Sequence, residues 1–146
     1  MNKTPRWITI LLWLFAAVYL ANGIEMFFGP SLWFFRLVPG VPETGPFNAH
    51  LVADSGTFYL GIAAGLVLAA LHPERHAVAV VVVAAVASTM HSILHIYSHA
   101  AGLLSSQHIT TEVLGIYLPT IVLWFLALVL IRPAQEPLRA AAVPAA

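Results

Sequence analysis

Cysteine is absent from this chain of 146 residues. The protein therefore has no disulfide, thiolate metal site, iron–sulfur cluster, covalently attached c-type haem or cysteine nucleophile. Any metal ion must be bound by histidine, carboxylate, methionine or backbone oxygen atoms.

Charged side chains are also scarce. They make up 8% of the residues and sum to a formal net charge of zero, whereas a soluble domain carries about a quarter charged residues. Because no basic surface is available to neutralise phosphates, nucleic acid is not expected as a partner. Hydrophobic residues make up 60%, which places the chain in the membrane class with the lipid bilayer as its surroundings.

Four apolar runs are each long enough to cross a hydrocarbon core of about 30 Å. They predict an all-α fold, a four-transmembrane-helix antiparallel bundle that forms one domain over residues 1–131. Prolines interrupt the connection between the first two runs, and its aromatic part, residues 31–38, predicts a short interfacial segment. The Ala- and Pro-rich tail, 132–146, is predicted to be disordered. The predicted spans are 7–28, 48–71, 77–100 and 112–131.

The distribution of cations predicts the orientation. With four spans, five Lys and Arg residues lie on the side that holds both termini, and only Arg36 lies on the other side. The positive-inside rule then places both termini in the cytoplasm of a bacterial inner (cytoplasmic) membrane. The five cations are Lys3, Arg6, Arg75, Arg132 and Arg139.

Histidines in the third span carry the strongest functional signal. His91, His95 and His99 are four residues apart, so they share one helix face. Imidazoles inside a membrane are costly and are usually kept for a function.

The second span carries its own polar face. Taking about 100° per residue, His50, Asp54, Gly61 and Gly65 fall within a sector of roughly 60°. Because glycines at this spacing let helix backbones approach closely, this face is predicted to pack inside the bundle, opposite the histidines.

In the predicted orientation these groups lie in the outer half of the membrane, together with Glu25, Glu112 and Asn22. We therefore predict a transition-metal site for Zn, Cu or Fe, with Glu25, Glu112 and Asn22 as alternative ligands or as partners of the ligands. Redox or hydrolytic chemistry on a lipid-soluble or periplasmic small molecule would suit it, and catalysis itself is left open. The predicted ligands are His50, Asp54, His91, His95 and His99.

Four alternatives remain open at this point. Two facing histidines from the second and third spans would suit a b-type haem. A metal-free pocket would support proton-linked binding or transport of a small molecule. The glycines of the second span would suit an oligomer or an accessory subunit of a membrane complex. A hydrogen-bonded His–Asp network would serve structure alone.

Two strings carry a resemblance to a known group of proteins. Phe47-Asn48-Ala49-His50 followed by Asp54-Ser55-Gly56, together with His91 and His95, is similar to small bacterial four-helix inner-membrane proteins. The resemblance implies the fold and a bacterial origin. It carries over no activity, cofactor or catalytic residue.

Overall fold

A computed structural model describes residues 4–131, so Lys3, Arg132, Arg139 and the tail predicted to be disordered lie outside the described residues. Every regular element within residues 4–131 is helical. Four segments are long and apolar enough to cross a membrane, which confirms the all-helical, four-span prediction. These segments are Arg6–Phe28, Ala49–Leu71, Pro73–Ala100 and Ser106–Ile131.

The first span is α1 (Arg6–Phe28) and the next two are α3 (Ala49–Leu71) and α4 (Pro73–Ala100). Between α1 and α3 lie α2 (Pro30–Leu32), a π turn (Trp33–Leu37) and a 3-10 turn (Val41–Thr44). The fourth span has four parts in sequence: a 3-10 turn (Ser106–His108), α5 (Ile109–Glu112), a π turn (Val113–Tyr117) and α6 (Leu118–Ile131).

Local signals explain where the helices begin. The Asn48 side chain accepts a hydrogen bond of 3.1 Å from the backbone nitrogen of Leu51 and caps α3. Helix α4 begins at Pro73 rather than at residue 77, because proline suits the first helical position. The last span begins at Ser106 rather than at residue 112, where the Ser105 hydroxyl accepts from the Gln107 nitrogen at 3.3 Å.

An apolar core holds the four spans together in the half of the bundle that contains the α3–α4 connection. Its fully buried side chains come from every span: Leu12 of α1, Leu66 of α3, Val81 of α4 and Leu123 of α6. A second, smaller cluster joins Phe34 of the predicted interfacial segment to α1 and α3. The segment is therefore anchored on the bundle by one aromatic ring.

Helices α1 and α3 have the most extensive contact of any two described helices, and their backbones meet at two glycines. A Cβ atom added to Gly56 would lie 2.9 Å from the backbone nitrogen of Phe27 and 3.1 Å from the carbonyl oxygen of Gly23. A Cβ atom added to Gly23 would lie 2.9 Å from the side chain of Leu60. The two backbones can approach this closely only because both positions lack a side chain.

Side-chain hydrogen bonds fix the register of α4 against its neighbours. Ser92 contacts Thr120 at 3.0 Å and the Trp124 indole donates to Thr89 at 2.8 Å. On the other side, the hydroxyls of Tyr19 and Ser88 lie 2.6 Å apart and join α1 to α4. Thr89 of α4 contacts Trp124 and Ser92 contacts Thr120, so later residues of α4 contact earlier residues of the fourth span.

The face of α3 that carries its polar residues and glycines points out of the bundle, whereas we predicted that it packs inside. The side chains of His50 and Asp54 are 89% and 54% exposed, and nothing lies within 4 Å of a Cβ atom added to Gly61. Gly65 alone approaches another helix, with Val80 of α4 at 3.4 Å. The predicted inward orientation is therefore wrong for His50, Asp54 and Gly61. We call His50, Asp54, Gly61 and Gly65 the glycine face of α3.

The α1 contact explains this rotation. At about 100° per residue, the buried residues of α3 lie roughly half a turn away from His50, Asp54 and Gly61. Because Gly56 must face α1, the glycine face is turned outward. The buried residues concerned are Val52, Gly56, Ala63 and Ala70.

A matched pair of substitutions checks this rotation. Gly56→Ala should lower the free energy of unfolding by about 1–3 kcal/mol, because its Cβ atom would overlap the α1 backbone. Gly61→Ala should leave it unchanged or raise it by up to about 1 kcal/mol, because alanine favours helix and the space is open. Unfolding of the purified protein in mixed micelles measures both, and equal effects would contradict the assigned faces.

Candidate functional site

A buried carboxylate at the end of α5 meets two histidines of α4. The Glu112 side chain is only 7% exposed, and the same oxygen, Oε2, lies 2.8 Å from Nε2 of His99 and 3.5 Å from Nδ1 of His95. The two imidazoles are themselves largely buried, at 21% and 19% exposure. We call His95, His99 and Glu112 the Glu112 cluster.

Hydrogen bonding within the Glu112 cluster is incomplete. His99 makes a hydrogen bond with the carboxylate, and its ring N–H is the donor when Glu112 is ionised. Nδ1 of His95 is fully buried and has no hydrogen-bond partner among the described residues. Leaving such a nitrogen unsatisfied costs about 1–3 kcal/mol. The cluster therefore contains one buried ring nitrogen whose hydrogen-bonding capacity is unused.

His91 belongs to the same face but has a different environment. Its ring stacks on that of His95, with centroids 4.7 Å apart and planes inclined by 28°. It has no hydrogen bond to Glu112. Its main effect on the cluster is to hold the His95 ring in place.

The other predicted site residues lie elsewhere. His50 pairs with Asp54 at 3.3 Å on the glycine face of α3. Asn22 donates to the Val18 carbonyl and accepts from the indole of Trp33, and Glu25 is exposed.

The predicted convergence of all four spans on one polar site is therefore wrong. The structure brings together side chains of α4 and α5 alone, because the α1 contact rotates the polar residues of α3 outward. His50, the histidine that a two-histidine haem would need from α3, is exposed rather than packed towards α4. Within residues 4–131, no group of three or more His, Asp or Glu side chains is arranged to hold a metal ion.

A π turn follows Glu112 directly. It spans Val113–Tyr117, and the Leu118 N–H donates to the Val113 carbonyl across five residues. Pro119 comes next and has no N–H to give to the helix, so the regular hydrogen-bond pattern is interrupted immediately beside the cluster. Single π turns of this kind occur frequently at functional sites.

A second polar contact joins the two loops at the same end of the bundle. Glu43 accepts hydrogen bonds from the backbone nitrogen of Ser105 at 2.9 Å and from Gln107 Nε2 at 3.3 Å, and it contacts His108 Nε2 at 3.0 Å. We call Glu43, Ser105, Gln107 and His108 the loop clasp. The Ser105 N–H bond, followed by the bond to His108, lowers the pKa of Glu43 below its ordinary value.

Comparisons with known proteins returned no relative for this chain: no protein family, no curated protein and no solved structure matches it. The resemblance to small bacterial inner-membrane proteins therefore stays a prediction. Function has to be argued from the Glu112 cluster itself.

Truncating His99 tests how strongly the cluster is coupled. His99→Ala should lower the free energy of unfolding by about 3 kcal/mol, because it leaves a buried carboxylate without its donor. The double variant His99→Leu/Glu112→Leu should lose less, since no charge remains buried. His50→Ala, at an exposed imidazole, should change it by no more than about 0.5 kcal/mol. Unfolding in mixed micelles measures the free energy for all three variants. A double variant that is less stable than His99→Ala would contradict the conclusion that the cost comes from an unpaired buried carboxylate.

The loop clasp should depend on pH through Glu43. A carboxylate with a lowered pKa contributes its full stabilisation above the unfolded-state pKa and loses it as the pH falls through the lowered, folded-state pKa. The protection factor of the Ser105 amide hydrogen, which compares its exchange rate with that of the unfolded chain at the same pH, should therefore be high at neutral pH and should fall as the pH drops from the ordinary glutamate pKa through the lowered pKa of Glu43. Glu43→Gln should reduce that pH dependence. Glu74→Gln, at an exposed glutamate of the first turn of α4, should leave it intact.

Proposed function

We propose that this protein is a multi-pass inner-membrane protein whose Glu112 cluster is a proton-exchanging site for a small polar or lipid-soluble molecule. The observation that carries this proposal is the buried carboxylate with one satisfied and one unsatisfied imidazole partner. A carboxylate and an imidazole in contact can share, gain or lose a proton without moving the backbone. The unsatisfied His95 nitrogen would accept a hydrogen bond from a ligand or donate one to it once the ring turns to expose that nitrogen.

Partial exposure supports ligand access. About a fifth of each imidazole of the cluster remains accessible, while the carboxylate is enclosed. A ligand can therefore contact the exposed edges of the two rings from the surface, whereas reaching the buried Nδ1 of His95 requires that ring to turn. The apolar core below the cluster argues for a pocket open at one end rather than a channel through the membrane.

The proposal also includes the topology. Later residues of α4 contact earlier residues of the fourth span, as expected for antiparallel neighbours. Only His72 lies between α3 and α4, which is typical of a tight reversal of the chain. Cation distribution favours cytoplasmic termini. The loop clasp and the Glu112 cluster would then both lie at the periplasmic end.

Transition-metal binding is the second candidate, favoured by one specific observation. The ring nitrogens of His95 and His99 lie 3.5 Å and 2.8 Å from the same carboxylate oxygen. Ligands bonded to one Zn²⁺ ion at about 2.0–2.2 Å are separated by similar distances. Binding would require the His99–Glu112 hydrogen bond to give way to the ion and the three side chains to rearrange, because they are not arranged to hold a metal ion as they stand. Haem has no comparable support, because His50 is exposed.

Infrared difference spectroscopy with pH on the purified protein in lipid vesicles tests the first candidate. A protonated-carboxyl band should appear as the pH falls, and Glu112→Gln should remove its buried component. Asp54→Asn, at an exposed carboxylate, should not remove that component. A spectrum unchanged by Glu112→Gln would show that Glu112 does not exchange protons.

Elemental analysis and a visible spectrum of the same preparation test the second candidate. One Zn, Cu or Fe per chain that is lost in His95→Ala and kept in His50→Ala would favour the metal site. A Soret band would instead indicate haem. Metal content that is equal in both variants would remove the metal candidate.

A further inference from the structure

The glycine face of α3 carries ionisable groups on the outside of a membrane span. His50 and Asp54 pair with each other at 3.3 Å, yet their side chains are 89% and 54% exposed. Among the described residues, neither side chain forms a hydrogen bond or an ion pair with another helix. A carboxylate and an imidazole that face lipid are costly, and such groups usually find a partner inside the membrane.

A groove continues this face along the bundle. It has a volume of about 410 Å³ and runs between α3 and α4. Its floor is formed by the open glycine Gly61 and by Gly65, and the Phe58 ring stands beside it with 73% of its surface exposed. The same surface therefore carries a protruding ring, Phe58, and an open groove into which such a ring could fit.

Polar side chains and small residues are the two features that drive association of helices in lipid. Here they share one helix face: His50 and Asp54 pair only with each other, and nothing lies within 4 Å of a Cβ atom added to Gly61. The face is large enough to receive another helix alongside α3. Its occupant must match both the ionisable pair and the groove.

A second copy of this chain meets both requirements. Two copies inserted in the same orientation place their α3 helices parallel, with equivalent residues at equal depth. Across a two-fold axis, His50 of one copy is then offset from Asp54 of the other by one helical turn, about 6 Å in depth, a distance that the two side chains can span to bring an imidazole against a carboxylate. A face bearing carboxylates alone would repel its own copy, whereas this pair is self-complementary.

We propose that the protein forms a symmetric dimer through the glycine face of α3, with Phe58 of each copy packed in the groove of the other. The dimer satisfies the ionisable pair across the interface. It does not depend on the identity of the ligand at the Glu112 cluster. The cluster is on α4 and α5 and need not contact the interface.

Disulfide cross-linking in lipid vesicles tests the interface directly. Because the chain has no cysteine, a single introduced thiol is the only reactive one. Thr57→Cys, whose residue lines the groove, should give a covalent dimer on mild oxidation. Ile121→Cys, 64% exposed on α6, should not. Equal cross-linking at both positions, or none at either, overturns the proposal.

Complementary charges identify the occupant as the same chain. A His50→Asp copy carries two carboxylates and an Asp54→His copy carries two imidazoles. Energy transfer between labelled copies in vesicles should show that each variant pairs with itself at least roughly tenfold more weakly than the two variants pair with each other. Self-pairing of either variant at the wild-type level contradicts the proposed contact between the two copies.

Filling the groove provides an independent measurement. Gly61→Leu should weaken dimerisation roughly tenfold and leave the monomer folded, because space is open at this position. Ala17→Leu, on an exposed position of α1, is the matched control and should not weaken it.

Thr57→Cys in native membranes should yield the dimer. A cross-link to a different protein without any dimer would assign the face to that protein and overturn the proposal.

Discussion

The close approach of α1 and α3 at Gly23 and Gly56 determines much of what the rest of this molecule can do. Neither position can carry a side chain without overlap, so the contact fixes how α3 is rotated about its axis. Once Gly56 faces α1, His50 and Asp54 must lie on the opposite side. Among the described spans, the carboxylate and the imidazoles that remain inside the bundle then come from α4 and α5. The same contact therefore leaves a self-complementary face outside and reduces the interior site to the Glu112 cluster.

Most of the architecture follows from the sequence for simple physical reasons. A chain with so few charges has to place its long apolar runs in lipid, where a helix satisfies every backbone hydrogen bond. Helix rotation does not follow in the same way. Apolar side chains surround α3 on every side, and glycines occur on both of its faces, at Gly56 and at Gly61. Lipid and protein interior are both apolar, so hydropathy does not distinguish a packed glycine from an exposed one.

The candidate site was predictable where local spacing determines it. His91, His95 and His99 share a face because four residues make about one turn, and the structure places this face towards the bundle. Glu112 appeared only among the alternative partners, although it is the residue on which the two imidazoles converge. The loop clasp gave no signal, because Glu43 and Ser105 are 62 residues apart in the chain and neither belongs to a motif. The hydroxyl contacts of Ser88 and Ser92 depend on helix register, which the sequence alone does not determine.

The π turn at Val113–Tyr117 also has a geometric consequence for the carboxylate. In an uninterrupted α-helix, Glu112 and Thr120 would point about 80° apart, since each residue turns the chain by about 100°. One additional residue in the intervening turn reduces that angle to about 20°, and both side chains then face α4. The π turn thus determines the angle about the helix axis between the side chain of Glu112 before it and that of Thr120 after it. A deletion of one residue there would make the helix regular and would keep the carboxylate directed at α4, because seven α-helical residues turn the chain by about 700°, about 20° short of two full turns.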